Sequence, residues 1–145
     1  MTEVITEADF RKRIVTLLVR SGLTDLPKGE RDRQILFKSA AIGFKPGMEM
    51  TEGEVNEVLG YWSIHIAGLR NYDYISLRRA LVDNGYLERR SDGTSYVRSA
   101  SGPAGWAFEA GIDEIDLEAM LAAAREEIEA RKRAFMEKKK GENKG

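Results

Sequence analysis

The chain has 145 residues, 42% of them hydrophobic and 32% charged, with a net charge of −1 and no cysteine. That is enough for one domain with appended helices, and it excludes disulfides, thiolate metal sites and cysteine nucleophiles. The opening MTEVITEADF is acidic where a secretory leader is basic, and no apolar run approaches the roughly 20 residues of a membrane span, so a cytoplasmic location is expected.

Three segments are expected: an N-terminal helix over 1–22, a winged-helix domain over 23–100, and a linker, amphipathic helix and basic tail over 101–145. The first helix is predicted to begin at Thr6. Thr6 and Asp9 have capping-box spacing, and Ile5 and Phe10 sit at the hydrophobic-staple positions. Phe10, Ile14, Leu17 and Leu18 then share one face, and Gly22 is placed to end the helix. A second helix is expected from about Lys28 to Ile42, with Pro27 at its start. Gly43 and Pro46-Gly47 break the chain, and Met48 to Met50 is a candidate short strand.

Thr51 with Glu54 forms a complete capping box, and Val55, Val58 and Leu59 supply the buried face behind it. The spacer YWSIHIAGLRNY is too apolar for a plain surface loop. Either it prolongs the helix or it covers a hydrophobic surface. Asp73 can cap the next helix, Tyr74 to Asn84, and Gly85 can terminate it. Tyr86–Arg90 and Thr94–Arg98 read as two strands around Ser91-Asp92-Gly93. In the linker, Trp106 and Phe108 are expected to pack back on the domain. In the last helix Leu117, Leu121, Ala124 and Ile128 alternate spacings of four and three, and Phe135 resumes the pattern. The tail from Lys138 to Gly145 is expected to fray.

Helix, helix and hairpin in that order outline a winged helix-turn-helix, a mainly α fold of the α+β type. Leu26-Pro27, the run Thr51-Glu52-x-Glu54-Val55-Asn56-x-x-Leu59, Asp73, LRRALVDNGYLER, Gly93 and Tyr96 carry a further likeness. Over about residues 22 to 98 the chain resembles a bacterial domain family of unknown function. The resemblance implies a winged-helix-like domain of a kind often found in, or fused to, predicted transcriptional regulators. The spacer from Tyr61 to Tyr72 is several residues longer than that family's usual pattern.

In a helix-turn-helix the second helix enters the major groove. With Tyr74, Leu77, Leu81 and Val82 pointing inward, the outward face is Ser76, Arg79, Ala80 and Asp83. Ser76 and Arg79, with Arg89, Arg90 and Arg98 on the wing, are the candidate DNA contacts. Arg78 is expected to pair with Glu54 or Asp73. The strip Arg11, Lys12, Arg13 and Arg20 reads as a solvated face, and Lys138 to Lys140 as a solubilising tail. His65, the only histidine, is expected to pack with one polar contact. No paired carboxylates, phosphate-binding glycine loop or metal-ligand spacing stand out, so no enzyme activity and no cofactor are expected.

The aromatic residues around the spacer are core, or else they line an effector pocket. A homodimer is expected through Phe10, Ile14, Leu17, Leu18, Leu117, Leu121 and Ile128, although the terminal helices could equally meet within one chain. The near-neutral charge and Asp83 on the outward face favour an alternative: a protein-interaction module that binds a partner protein rather than DNA.

Overall fold

The computed structural model describes residues 1–143. Its elements are β1 (Glu3–Ile5), α1 (Glu7–Val15), α2 (Glu30–Ala41), β2 (Met50–Thr51), α3 (Glu52–Tyr61), α4 (Tyr74–Asp83), β3 (Leu87–Arg89), β4 (Ser95–Arg98), β5 (Trp106–Phe108) and α5 (Leu117–Asn143). π-Helical turns prolong α1 over Thr16–Arg20 and α3 over Trp62–Ala67, and a 3-10 turn spans Ala110–Glu114.

The helix starts follow side-chain chemistry. Thr6 accepts from the Asp9 backbone N–H (3.1 Å), opening α1. At α3 the box is reciprocal: Thr51 Oγ1 accepts from the Glu54 backbone at 3.1 Å, and Glu54 Oε1 accepts from the Thr51 backbone at 3.2 Å. Asp73 accepts from the Ser76 backbone N–H at 2.8 Å and opens α4. The second helix begins later than its sequence suggested. Gly29 occupies the cap, and Pro27 lies outside the helix with its carbonyl accepting from Arg33 Nε (2.8 Å).

The apolar spacer prolongs α3. The π turn shifts the helical register, so Trp62, Ser63, Ala67 and Leu69 are buried while Ile64 and His65 face outward. Gly68, at φ +68°, stops the helix in the left-handed region that suits glycine.

β2, β4 and β3 form an antiparallel sheet in that spatial order, with Met50 opposite Tyr96 and Leu87 opposite Arg98. The strand before α3 therefore pairs with the last strand of the hairpin, giving an α+β, winged-helix-like fold that is mainly helical. A second pairing was not expected: β1 runs parallel to β5, matching Glu3 with Trp106 and Ile5 with Phe108. Trp106 and Phe108 pack against the core, as anticipated.

One hydrophobic cluster joins all three sequence segments. It includes Ile5 and Phe10 from the first, Val55 and Leu77 from the second, and Ile112 and Leu121 from the third. This corrects the expected dimer surface. Phe10, Ile14, Leu17, Leu18, Leu117 and Leu121 are all buried within a single chain, where α5 packs on the π turn of α1. Ile128 is half-buried, in a groove shared with Val15 and Thr16. The terminal helices thus meet within the chain. Beyond Ile128, α5 projects outward, with Phe135 63% and Met136 54% exposed. The tail expected to fray continues this helix to Asn143; residues 144 and 145 lie outside the described residues.

Candidate nucleic-acid interface

Leu77 and Leu81 anchor α4 to the core and set which side chains it presents. Ile75, Arg79 and Asp83, spaced by four, form its exposed stripe, with Tyr74 beside them at the helix start. Tyr74 was expected inward but is 40% exposed, because the buried stripe is carried by Leu77 and Leu81 without it. Ser76 is half-buried, and its hydroxyl donates to Asp73 Oδ2 (3.1 Å), so it serves the helix cap. Ala80 is also half-buried. Hydrogen bonds from Ser76 hold the Asp73 carboxyl below the usual carboxylate range.

Arg78 is structural, with other partners than expected. It donates to Asn56 Oδ1 (2.5 Å), pairs with Glu52 (3.4 Å) and lies over the Tyr96 ring. Tyr96 in turn donates its hydroxyl to Glu52 (3.2 Å). Glu54 and Asp73, the partners foreseen, are occupied as caps.

Between α4 and the hairpin lies a cleft of about 440 Å³, lined by Arg78, Arg79, Asp83, Arg89, Glu52 and Tyr96 among others. Arg78 is neutralised by Glu52. Arg79 and Arg89 form no ion pair among the described residues, and Arg89 Nη2 reaches only the Gly93 carbonyl at 3.5 Å. Two unpaired guanidiniums therefore face one carboxylate, Asp83. Gly93 makes the wing turn at φ +73°, and the Thr94 backbone N–H holds the Asp92 carboxyl below its ordinary range there.

The other candidate arginines are placed differently. Arg90 pairs with Glu49 (2.9 Å) and remains half exposed at the edge of the wing. Arg98 is withdrawn from the surface: its side chain is 11% exposed, it pairs with Asp113, and it donates to the Phe44 carbonyl (3.2 Å). Its guanidinium is taken up by this ion pair, away from the exposed face of the wing. Asp113 also holds Lys38 Nζ at 2.9 Å, so one carboxylate serves two buried cations. Burial acts to raise the Asp113 pKa, but hydrogen bonds from Lys38 and Arg98 outweigh it and lower the value. Burial pulls the Lys38 ammonium down, partly against Asp113.

The basic strip of α1 is partly neutralised. Arg13 makes a bidentate pair with Asp32 (2.7 and 2.8 Å), and Arg11 pairs with Glu7. His65 is exposed and stacks on Tyr61, ring centroids 4.7 Å apart. Among the described residues no group of three or more His, Cys, Asp or Glu could hold a metal ion, and no helix is long and apolar enough to cross a membrane.

Residues 22–98 match the family described as an uncharacterized protein conserved in bacteria, DUF2087. The match holds α2 to α4 and the three-stranded sheet, and omits β1, α1, β5 and α5. No curated protein and no solved structure matches the chain.

Proposed function

The chain belongs to the uncharacterised bacterial family DUF2087, and on that premise we propose that it is a DNA-binding, non-enzymatic, cytoplasmic winged-helix protein that regulates transcription. One observation carries this: Arg79 on α4 and Arg89 on the wing line the same cleft, neither of them ion-paired among the described residues. An α4 laid in the major groove would bring Ile75 and Arg79 to base edges, where an apolar side chain can meet a thymine methyl and an arginine a guanine. Arg89 and Arg90 would follow the phosphates.

Dimerisation is assigned to the projecting part of α5. Its charges pair along the helix, Glu126 with Arg133, Glu127 with Arg131 and Glu129 with Lys132, and Phe135 and Met136 stay exposed beyond them. Two copies crossing there would cover these two side chains, which suits a two-fold dimer.

The test is fluorescence anisotropy with mixed-sequence duplex DNA at low and physiological salt. Micromolar binding that weakens steeply with salt is expected, since each neutralised phosphate contributes a slope of about −0.9. Arg79→Ala with Arg89→Ala should weaken binding and flatten that slope by about 1, since Arg89 is the phosphate contact of the two. No binding at low salt by the folded protein overturns the proposal.

A specific observation favours a second function, a protein-interaction module. Tyr61 at the end of α3, Ile64 in its π turn, and Tyr74 and Ile75 at the start of α4 are each 40% or more exposed. Such a surface fits a partner protein bound through apolar contact, insensitive to salt.

A further inference from the structure

The end of β4, the loop after it and β5 enclose a cavity of about 300 Å³ against α2. Lys38 of α2, Arg98 of β4 and Asp113 of the 3-10 turn all line it. Asp113 Oδ1 accepts from both cations. The Lys38 ammonium lies 5.3 Å from the ring centroid of Phe108, another wall residue. These contacts gather the three charged groups at one place on the wall.

The charges do not balance there. Two cations share a single carboxylate, and among the described residues neither forms any other ion pair. Glu88 comes to the loop, but its carboxylate accepts from the Ser99 hydroxyl (3.4 Å) and pairs with neither cation. Both cations are largely withdrawn from water, and a charge so held is ordinarily matched by a counter-charge. Burial, and after it the field of Arg98, lower the Lys38 pKa against the pull of Asp113. Donors remain as well. An ammonium has three N–H groups and a guanidinium five; Asp113 takes one from each, and the Phe44 carbonyl takes one more from Arg98.

We propose that this cavity binds a small organic monocarboxylate with a flat apolar body. The ligand's carboxylate accepts from Lys38 and Arg98 and balances the surplus charge. A singly charged group fits a surplus of one, whereas a dianionic phosphate would leave one negative charge in excess. Pro103, Trp106 and Phe108 supply an apolar wall, which rewards a ring over a sugar or other hydrated body. The site is independent of whether α4 binds DNA.

Benzoate is the probe. Benzamide is its uncharged isostere, and phenyl phosphate is its dianionic counterpart at about pH 8. The ¹⁵N-labelled protein has two indole N–H signals, from Trp62 and Trp106, and Trp106→Phe identifies the one that lines the cavity. At constant ionic strength, benzoate should shift the Trp106 signal and saturate. Benzamide and phenyl phosphate should each bind at least about tenfold more weakly. Two substitutions should then move benzoate binding in opposite directions. Lys38→Met leaves Arg98 balanced by Asp113 and should weaken binding at least about tenfold. Asp113→Asn raises the surplus to two and should tighten binding about threefold or more. Lys38→Met leaves no charge unpaired, so it stays folded and tests the proposal even where Asp113→Asn unfolds. No saturable shift up to about 10 mM, benzamide or phenyl phosphate binding as tightly as benzoate, unchanged binding by Lys38→Met, or weaker binding by folded Asp113→Asn would each overturn the proposal.

Discussion

Asp113 offers a direct measure of how strongly the C-terminal segment is locked onto the winged helix. Its carboxylate bridges Lys38 of α2 and Arg98 of β4, whose side chains are each 11% exposed. Asp113→Asn keeps the shape and removes the charge, leaving two buried cations facing each other. Breaking a fully buried pair from one side costs about 3–5 kcal/mol. Asp113 itself is 41% exposed, and water screens that part of the interaction, so about 2 kcal/mol is expected. Urea unfolding at pH 7 measures it, and the melting temperature should fall by roughly 4–8 °C.

The pH dependence has a fixed sign. The Asp113 pKa is lowered in the folded state, so its stabilisation is complete above the unfolded value of about 3.9 and is lost as pH falls through the folded value. Wild type and variant should therefore converge in acid. Lys38→Met should cost less than Asp113→Asn, because Asp113 keeps Arg98 as its partner. A difference below about 0.5 kcal/mol at pH 7, or one that persists unchanged at low pH, would refute the reasoning.

Three further outcomes are expected. Gly85 has φ +84°, and a Cβ there would sit 3.2 Å from the Gly102 carbonyl oxygen and the Pro103 Cα; Gly85→Ala should cost about 2 kcal/mol in chemical denaturation. Tyr86 is buried and donates to Gln34 Oε1 (2.7 Å), so Tyr86→Phe should cost about 1–2 kcal/mol by leaving that acceptor unpaired. Thr51→Ala removes one half of the α3 capping box and should cost about 1 kcal/mol, with amide exchange rising first in the opening turn of α3.

The starts of α1, α3 and α4 were legible because a cap is a local event: one side-chain oxygen meets a backbone N–H three residues on. Gly93 marked the wing for the same reason. The β1–β5 pairing was not legible, since two three-residue strands leave no period to detect. Nor was the role of Arg98, because its partner Asp113 comes close only after the linker has folded back. Within the candidate interface, Arg79 and Arg89 were identifiable from the helix-then-hairpin order. Tyr74 and Ser76 were not, because α4 buries a narrow stripe and its cap takes up the serine. The expected dimer face failed on a general ambiguity: an amphipathic stripe says that a helix is covered, but not whether its own chain or another covers it.

The parallel bond between β1 and β5 joins strands about a hundred residues apart. On a ribosome adding about 5–20 residues each second, Phe10 and Ile14 would emerge about 5–20 s before Ile112 and Leu121, with which they share one core. Residues 22–98 could collapse during that interval, but Lys38 and Arg98 would lack their counter-charge until Asp113 arrived. Nascent chains stalled before Asp113 would therefore be open to proteases and holdase chaperones, and completion of the linker would be the step that commits the domain to its final form.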